Sequence, residues 1–510
     1  MTETFGLPRK VIIFAILLPV AAIVGYLLAS PDAASILLVG LILSVMAVPF
    51  ILRWHHPVLI FSWNMVFSVF FLPGTPPFWM LAALISLGVT FMSRILDKNM
   101  RLVHVPAVTW SLLFVAAVVI FTMKSTGTLG LRVFGGGSYG GKKYFFILFA
   151  VLAYFALSSQ RIPREKASFY TAGFLLPAAT PALANIAYAL GPAAWFLFYI
   201  LPPELAMAQA ADDMEWNPVA TKFGRLNGFA FASTGLLSFM LARYGVRGIF
   251  DTSRLWRLVA FVLLMAMSTV GGFRSILIIN GMIFVVQFFL EGLHRTRIFP
   301  ALLVVGALTF CGVLVFVDKL PLSVQRTLSI LPIRVSPAVQ SDAIASTNWR
   351  LEMWRVLWPE VGQYFWVGKG YTASATDYYL ALESARRGFG ADYEMSKLAG
   401  DYHSGPFSIM IPFGVFGMVG FVWFLAAGLY VLYCNYRYGP PELKLINTFL
   451  VASFLARIVF FFAVFGAIHS DLILLVGLVG LGISLNGGVA KPGWRSLQPR
   501  SATSGNARQS

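Results

Sequence analysis

Three residues combine a reactive side chain with a telling position. Arg274 sits in Gly271-Gly272-Phe273-Arg274-Ser275, between two apolar runs. A guanidinium there is costly unless it is paired or faces water; the plain alternative is an arginine snorkelling at a helix end. Arg350 lies beside Glu352 and Arg355, and four residues before Trp354. That spacing puts Arg350 and Trp354 on one helix face, and the plain alternative is a surface ion pair worth little. His403 follows Asp401 and Tyr402. An imidazole that titrates near about 6.5 is a suitable general base; a hydrogen-bonded histidine at a helix start is the competing reading.

Several weaker signals accompany them. His469 and Asp471 fit a proton relay or a capped helix start. Arg457 lies within an apolar run, where a charge suggests a lipid phosphate or an interhelical partner. The stretch Gly135-Gly136-Gly137-Ser138-Tyr139-Gly140-Gly141-Lys142-Lys143 offers backbone amides to a phosphate, but it also reads as a hairpin. Glu204, Asp212, Asp213 and Glu215 could hold a divalent cation, although their irregular spacing fits a solvated acidic loop better. No Walker A loop, His-x-Glu-x-x-His or Cys-x-x-Cys occurs.

The elements that must position these groups are set by hydropathy. Of the 510 residues, 58% are hydrophobic and 12% charged, with a mean hydropathy of +0.78. That is too little charge to cover a soluble domain. Apolar runs of about 17–25 residues recur, the length that crosses roughly 30 Å of hydrocarbon, where the backbone must form helices. The expected fold is an all-α polytopic membrane protein with about 12–14 transmembrane helices. Fourteen candidate spans fall at 11–29, 35–52, 57–73, 77–93, 105–123, 144–159, 169–190, 229–242, 258–272, 275–290, 298–317, 405–433, 445–466 and 471–486, with 193–203 a candidate surface helix. The first run follows Arg9 and Lys10, has no small-residue cleavage site after it, and reads as a retained span.

With the N-terminus inside, the segments 1–10, 53–56, 94–104, 160–168, 243–257, 291–297, 434–444 and 487–510 are cytoplasmic. They hold 21 of the 38 Lys and Arg. This positive-inside pattern predicts that both termini are cytoplasmic. It also explains most of the net charge of +17 without nucleic acid. Cys311 and Cys434 fall near opposite faces, which argues against a disulfide or a thiolate metal site. The Ser/Gly/Arg-rich stretch from about 491 to 510 reads as disordered.

The outward side then carries the loops 124–143 and 204–228, the bend 271–274 and, largest, 318–404. This last segment holds nine acidic and nine basic residues together with Trp349, Trp354, Trp358, Trp366, Tyr364, Tyr371, Tyr378 and Tyr379. Such a loop is usually functional, and its aromatic faces and balanced charge suit sugar and head-group contact. Within it, 348–358 reads as a helix started by Thr347 or Asn348 and stopped by Pro359. Gly368-Lys369-Gly370 reads as a turn.

The ordered set Gly-Gly-Phe-Arg274-Ser, Trp349-Arg350-Leu-Glu-Met-Trp354, Val367-Gly368-Lys369-Gly370-Tyr371 and His403-Ser404, the last entering a span punctuated by Gly414, Gly417 and Gly420, resembles the O-antigen ligase/polymerase family of bacterial envelope glycan assembly. The resemblance covers about 258–433. It implies glycosyl transfer at the periplasmic face from a polyprenyl-diphosphate-linked oligosaccharide to a sugar hydroxyl on a glycan or on lipid A–core, with inversion and without metal or cofactor. Arg274 and Arg350 would stabilise the diphosphate leaving group, and His403 would deprotonate the acceptor. Trp354, Lys369, Tyr371, Arg355 and Asp401 would contact substrate. Membrane lipids and a chain-length regulator are the partners implied, and nucleic acid is not. The chain divides accordingly into N-terminal transmembrane helices (1–257), a ligase/polymerase-like core (258–486) that includes the periplasmic loop 318–404, and a basic cytoplasmic tail (487–510).

The family pattern leaves polymerase and ligase unseparated. A secondary transporter or flippase of lipid-linked glycans is the alternative from another class, but the chain shows no matching halves. An assembly scaffold is the third reading.

Overall fold

A computed structural model describes residues 9–29, 33–98, 102–127, 138–213, 222–371, 373–387 and 393–492. The structure is helical almost throughout. The N-terminal half comprises α1 (Arg9–Ala29), α2 (Ala33–Ser62), α3 (Phe78–Leu96), α4 (Pro106–Ser125), α5 (Gly141–Ser158), α6 (Ala167–Leu175), α7 (Ala182–Ala189), α8 (Met207–Asp213) and α9 (Asn227–Ile249). There follow α10 (Trp256–Met267), α11 (Arg274–Leu290), α12 (Ile298–Phe316), α13 (Leu322–Leu328), α14 (Pro337–Gln363), α15 (Ala375–Arg386) and α16 (Glu394–Ala399). The chain closes with α17 (Gly405–Tyr438), α18 (Lys444–Ala463) and α19 (Ile468–Asn486). Two short strands, β1 (Ser138–Tyr139) and β2 (Ala373–Ser374), pair antiparallel.

Among the described residues nine helices are long and apolar enough to cross a membrane, or ten if one bent pair counts as a span. The chain is a multi-pass membrane protein. The fourteen spans expected are reduced for identifiable reasons. The runs 35–52 and 57–73 do not form two spans, because Arg53-Trp54-His55-His56 is helical and continues α2 to Ser62, while the chain beyond it leaves the helix. The run 169–190 breaks at Pro181, where two helical pieces bend by 41°. The helices α10 and α11 are apolar but shorter than a full crossing. The candidate surface helix 193–203 overlaps a 3-10 helix over Pro192–Tyr199. The basic segment 243–257 is helical as far as Ile249.

Contacts divide the chain into two compact units, Met1–His55 and His56–Ser510. The first holds α1 and most of α2, both apolar along their length. In the second, α19 is the central helix. It packs on α5, α17 and α18, and nearly every residue from Leu475 to Asn486 is buried. Close approach is permitted by small residues: a Cβ added at Gly477 would lie 2.3 Å from Trp63 Nε1, the device membrane helices use in place of a hydrophobic drive. One end of this packing is tied by amides. Asn447 and Asn486 exchange hydrogen bonds of 3.1 and 2.9 Å, and Asn447 also donates to the Asn435 carbonyl at 3.0 Å. Bonds of this kind average roughly 0.6 kcal/mol each within a bilayer. In contrast, α12 is apolar all round and has no buried residue, the signature of a lipid-facing helix.

The segment 318–404 is a folded cap. The helix read as 348–358 is in fact α14, starting at Pro337 and continuing past Pro359 to Gln363. The Arg355 carbonyl loses its partner at Pro359, but Met353, Leu357 and Val361 keep an apolar stripe in register across the proline and hold the extra turn. Met353 and Leu357 form a small core with Tyr402 and Ile411.

The cap also repairs a break in the bundle. Within α17, Pro412 removes a donor and Gly414 adopts φ +64°. The Gly368-Lys369-Gly370 turn, with φ of +80° and +71° at its glycines, inserts there. Lys369 N–H donates to the Ile411 carbonyl at 2.9 Å, Gly370 N–H to the Pro412 carbonyl at 3.0 Å, and Val415 N–H to the Phe365 carbonyl at 2.7 Å. The backbone groups freed by the break are thereby satisfied, as a nonpolar surrounding demands.

Candidate functional site

Four helices begin on one side of the bundle, and each brings a basic group there: α5 brings Lys143, α11 Arg274, α17 the preceding His403, and α19 His469. Helix N-termini carry partial positive charge and unpaired N–H groups, while the C-terminal ends of α4, α10 and α18 reach the same side, so the charge of the site is set by its side chains.

Arg274 is the first residue of α11. The turn that presents it is clamped by α13: Arg326 donates to the Gly272 carbonyl at 2.6 Å, and Thr327 Oγ1 to the Thr269 carbonyl at 2.9 Å. Arg326 is also ion-paired with Asp342, which stands 3.6 Å from Arg225. Arg350, on the half-buried face of α14, has its Nε buried with no hydrogen-bond partner among the described residues. Burial, and then the positive charges of Arg274 and Arg326, push this guanidinium below its ordinary value. Arg274 and Arg350 are thus brought together, with Arg326 as a third member that sequence reasoning missed. A cavity of about 680 Å³ opens beside them, lined by Arg274, Arg334, Gln340, Thr347 and Asn348 among others. Arg350 and His403 are not in its wall.

His403 sits where the cap re-enters the bundle, with left-handed backbone (φ +50°), a conformation that a residue other than glycine holds only when its surroundings impose it. Those surroundings are the Trp349 ring at 5.1 Å and the Phe465 ring at 5.2 Å, both edge-on. Its Nδ1 is buried without a hydrogen-bond partner among the described residues. Burial, followed by the Arg350 charge, lowers its proton affinity, Asp401 acts to raise it, and Lys143 lowers it again. The imidazole is therefore neutral at neutral pH and within electrostatic reach of Arg350.

Asp401 makes a 2.6 Å ion pair with Lys143 and lies 3.9 Å from His469 Nε2. Lys143 comes from the end of the glycine-rich segment, whose β1 pairs with β2 beyond Tyr371. Of the two readings of His469 and Asp471, the capped helix start is the one found: Asp471 accepts from Ala467 N–H at 2.7 Å, and the carboxylate facing His469 is Asp401. Arg457 has Asp471 as its electrostatic counterpart.

The remaining expected residues do other work. Trp354 Nε1 donates to the Tyr402 carbonyl at 2.8 Å, holding the backbone next to His403. Tyr371 is 4% exposed, packed edge-on to Tyr144 and Phe413, so it presents no open aromatic face. Its Oη is buried without a hydrogen-bond partner among the described residues. Lys369 is ion-paired to Glu360, which also meets Lys397 at 3.0 Å. Burial acts to raise the Glu360 carboxyl, but the two lysines together hold it below the usual range. Arg355 is exposed, as are Trp358 and Trp366. Gly135-Gly136-Gly137, Glu215 and the tail from Gly493 onward lie outside the described residues.

Chemically, this side offers Arg225, Arg274, Arg326, Arg350 and Lys143 against Asp342 and Asp401, five cations to two carboxylates, with a neutral imidazole beside them. Such an arrangement can bind a multivalent anion and accept a proton. No family model, curated protein or solved structure matches the chain.

Proposed function

We propose that this protein is a membrane glycosyltransferase of the O-antigen ligase/polymerase type, working at the periplasmic face of a bacterial inner membrane. The observation that carries the reading is the guanidinium cluster of Arg274, Arg326 and Arg350, under-neutralised by Asp342, beside the buried neutral imidazole of His403. A diphosphate ester of a polyprenol matches both parts. Its headgroup is a multivalent anion suited to bidentate guanidinium contacts, and its lipid tail has the surrounding bilayer to occupy.

In the proposed step His403 takes the proton of an acceptor sugar hydroxyl while that oxygen attacks the anomeric carbon. The bond from the anomeric carbon to the diphosphate oxygen breaks, and the departing charge falls on Arg274 and Arg350. Attack opposite the leaving group inverts the anomeric centre. The acceptor is a glycan on the same kind of carrier for a polymerase, or lipid A–core for a ligase. A transporter reading draws on the break in α17, since interrupted helices line ion sites. The Ile411 and Pro412 carbonyls at that break are already bonded to Lys369 and Gly370, which favours the enzyme.

The test is transfer by the purified protein in detergent, where no sealed compartment exists, using a polyprenyl-diphosphate-linked oligosaccharide as donor. Elongated or transferred glycan is expected. Activity only in sealed vesicles, with transport and no new glycosidic bond, would overturn the reading. In cells, loss of the protein should leave single repeat units on the acceptor if it is a polymerase, and lipid-carried polymer with bare acceptor if it is a ligase.

A further inference from the structure

We infer that Lys143 and Asp401 are positioning residues for His403: their ion pair fastens the cap to the start of α5 and sets the charge that the imidazole feels. The inference rests on the role given to His403 above, but concerns two residues which that role does not require.

The argument begins with the geometry. His403 follows Asp401 by two residues, in a segment whose backbone turns left-handed at the imidazole. A strained residue stays put only if its flanks are fixed. One flank is α17, beginning at Gly405. The other is Asp401, held by Lys143 at 2.6 Å across 258 residues of sequence. Lys143 is itself fixed, with its side chain 16% exposed and its ammonium 5.5 Å over the Tyr371 ring. That ring is buried against Tyr144, whose hydroxyl accepts from Tyr371 N–H at 2.6 Å. The pair is therefore anchored to the bundle and not merely to the loop.

The second part is electrostatic. The charged and titratable groups facing His403 are Arg350 from α14, Asp401 from its own segment and Lys143 from α5; His469 from α19 meets the same carboxylate at 3.9 Å. Asp401 favours the imidazolium, whereas Arg350 and Lys143 oppose it. Removing either member of the ion pair must then move the proton affinity of His403, and the two removals act in opposite senses. A purely mechanical tether would move it in one sense or not at all.

The experiment is an NMR titration of the full chain, labelled with ¹³C-histidine and purified in detergent. The six histidines give a readable set, and His403→Gln assigns the signal. In Asp401→Asn the His403 midpoint should fall by roughly half a pH unit or more, and in Lys143→Met it should rise by a similar amount. Lys143→Arg and Asp401→Glu, which keep both charges, should leave it in place and serve if a neutral variant does not fold. Midpoints that stay put in both neutral variants, that move in the same direction, or that move equally in the charge-preserving ones would overturn the inference. Full glycosyl transfer by His403→Gln would instead sink the catalytic role and leave the titration result standing, so the two failures are distinguishable.

Discussion

In the proposed reaction the leaving-group charge falls on Arg274 and Arg350, guanidinium groups without an ion pair among the described residues. Arg350→Ala and Arg274→Ala should each lower transfer by at least about 10²-fold with the protein still inserted, because each removes a preorganised charge. Arg350→Lys should recover only part of the loss, since an ammonium cannot reproduce the guanidinium fork. Arg350 also depresses the proton affinity of His403. In Arg350→Gln the imidazole should therefore keep its proton to a higher pH, and the acid limb of the residual activity should shift upward; a downward shift would contradict the electrostatics. Arg274, Arg350 and His403 were singled out by the ordered resemblance, since position alone also allowed a helix-end charge, a surface ion pair and a hydrogen-bonded histidine. Lys143 was not. Nothing local distinguishes it from Lys142, and its partner lies 258 residues away. Arg326 and Asp342 were visible only as two of eighteen balanced charges in the loop.

Among the elements, α14 and α17 diverge most from what the sequence suggests, and both through proline. A single Pro359 signals a helix end, yet the apolar stripe of Met353, Leu357 and Val361 carries α14 through it. Pro412 and Gly414 sit inside a strongly apolar run that reads as one uninterrupted span, yet there the helix opens to receive backbone from the cap. Periodicity is blind to such non-local repair. The site depends on it, since the same turn leads directly into Tyr371. Gly368 and Gly414 have positive φ, and a Cβ would lie 2.2 Å from the Pro412 carbonyl oxygen and 2.6 Å from the Trp366 carbonyl oxygen respectively. Gly414→Ala should destabilise by more than about 2 kcal/mol, from left-handed strain and backbone overlap together. Thermal unfolding in detergent would show this as a lowered midpoint, whereas Gly306→Ala on α12, where a Cβ meets nothing within 4 Å, should be neutral. Trp354→Phe should cost about 1 kcal/mol through the lost bond to the Tyr402 carbonyl.

For the molecule as a whole, the all-helical membrane class followed from hydropathy alone, while the number of spans did not. Windows of apolar residues cannot separate a helix that crosses from one that turns back or is too short, as α10, α11 and the bent pair at Pro181 show. Orientation is a separate matter, read from 21 of 38 basic residues on one set of segments. It predicts that a cysteine at exposed Ser341 in the cap, in a background lacking Cys311 and Cys434, reacts with a membrane-impermeant maleimide added outside the inner membrane. One at Asp97 should react only after permeabilisation. The reverse pattern would invert the topology and remove the donor's leaflet from the proposal.

The long-range ion pair at the start of α5 bears on how the protein is made. Lys143 emerges from the ribosome 258 residues before Asp401 is synthesised, so through about half of translation its ammonium lacks that carboxylate. Until then water must solvate that cation, and only the last fifth or so of the nascent chain can close the latch. A chain that ends before Asp401 would thus keep the start of α5 without the contact that joins it to the cap.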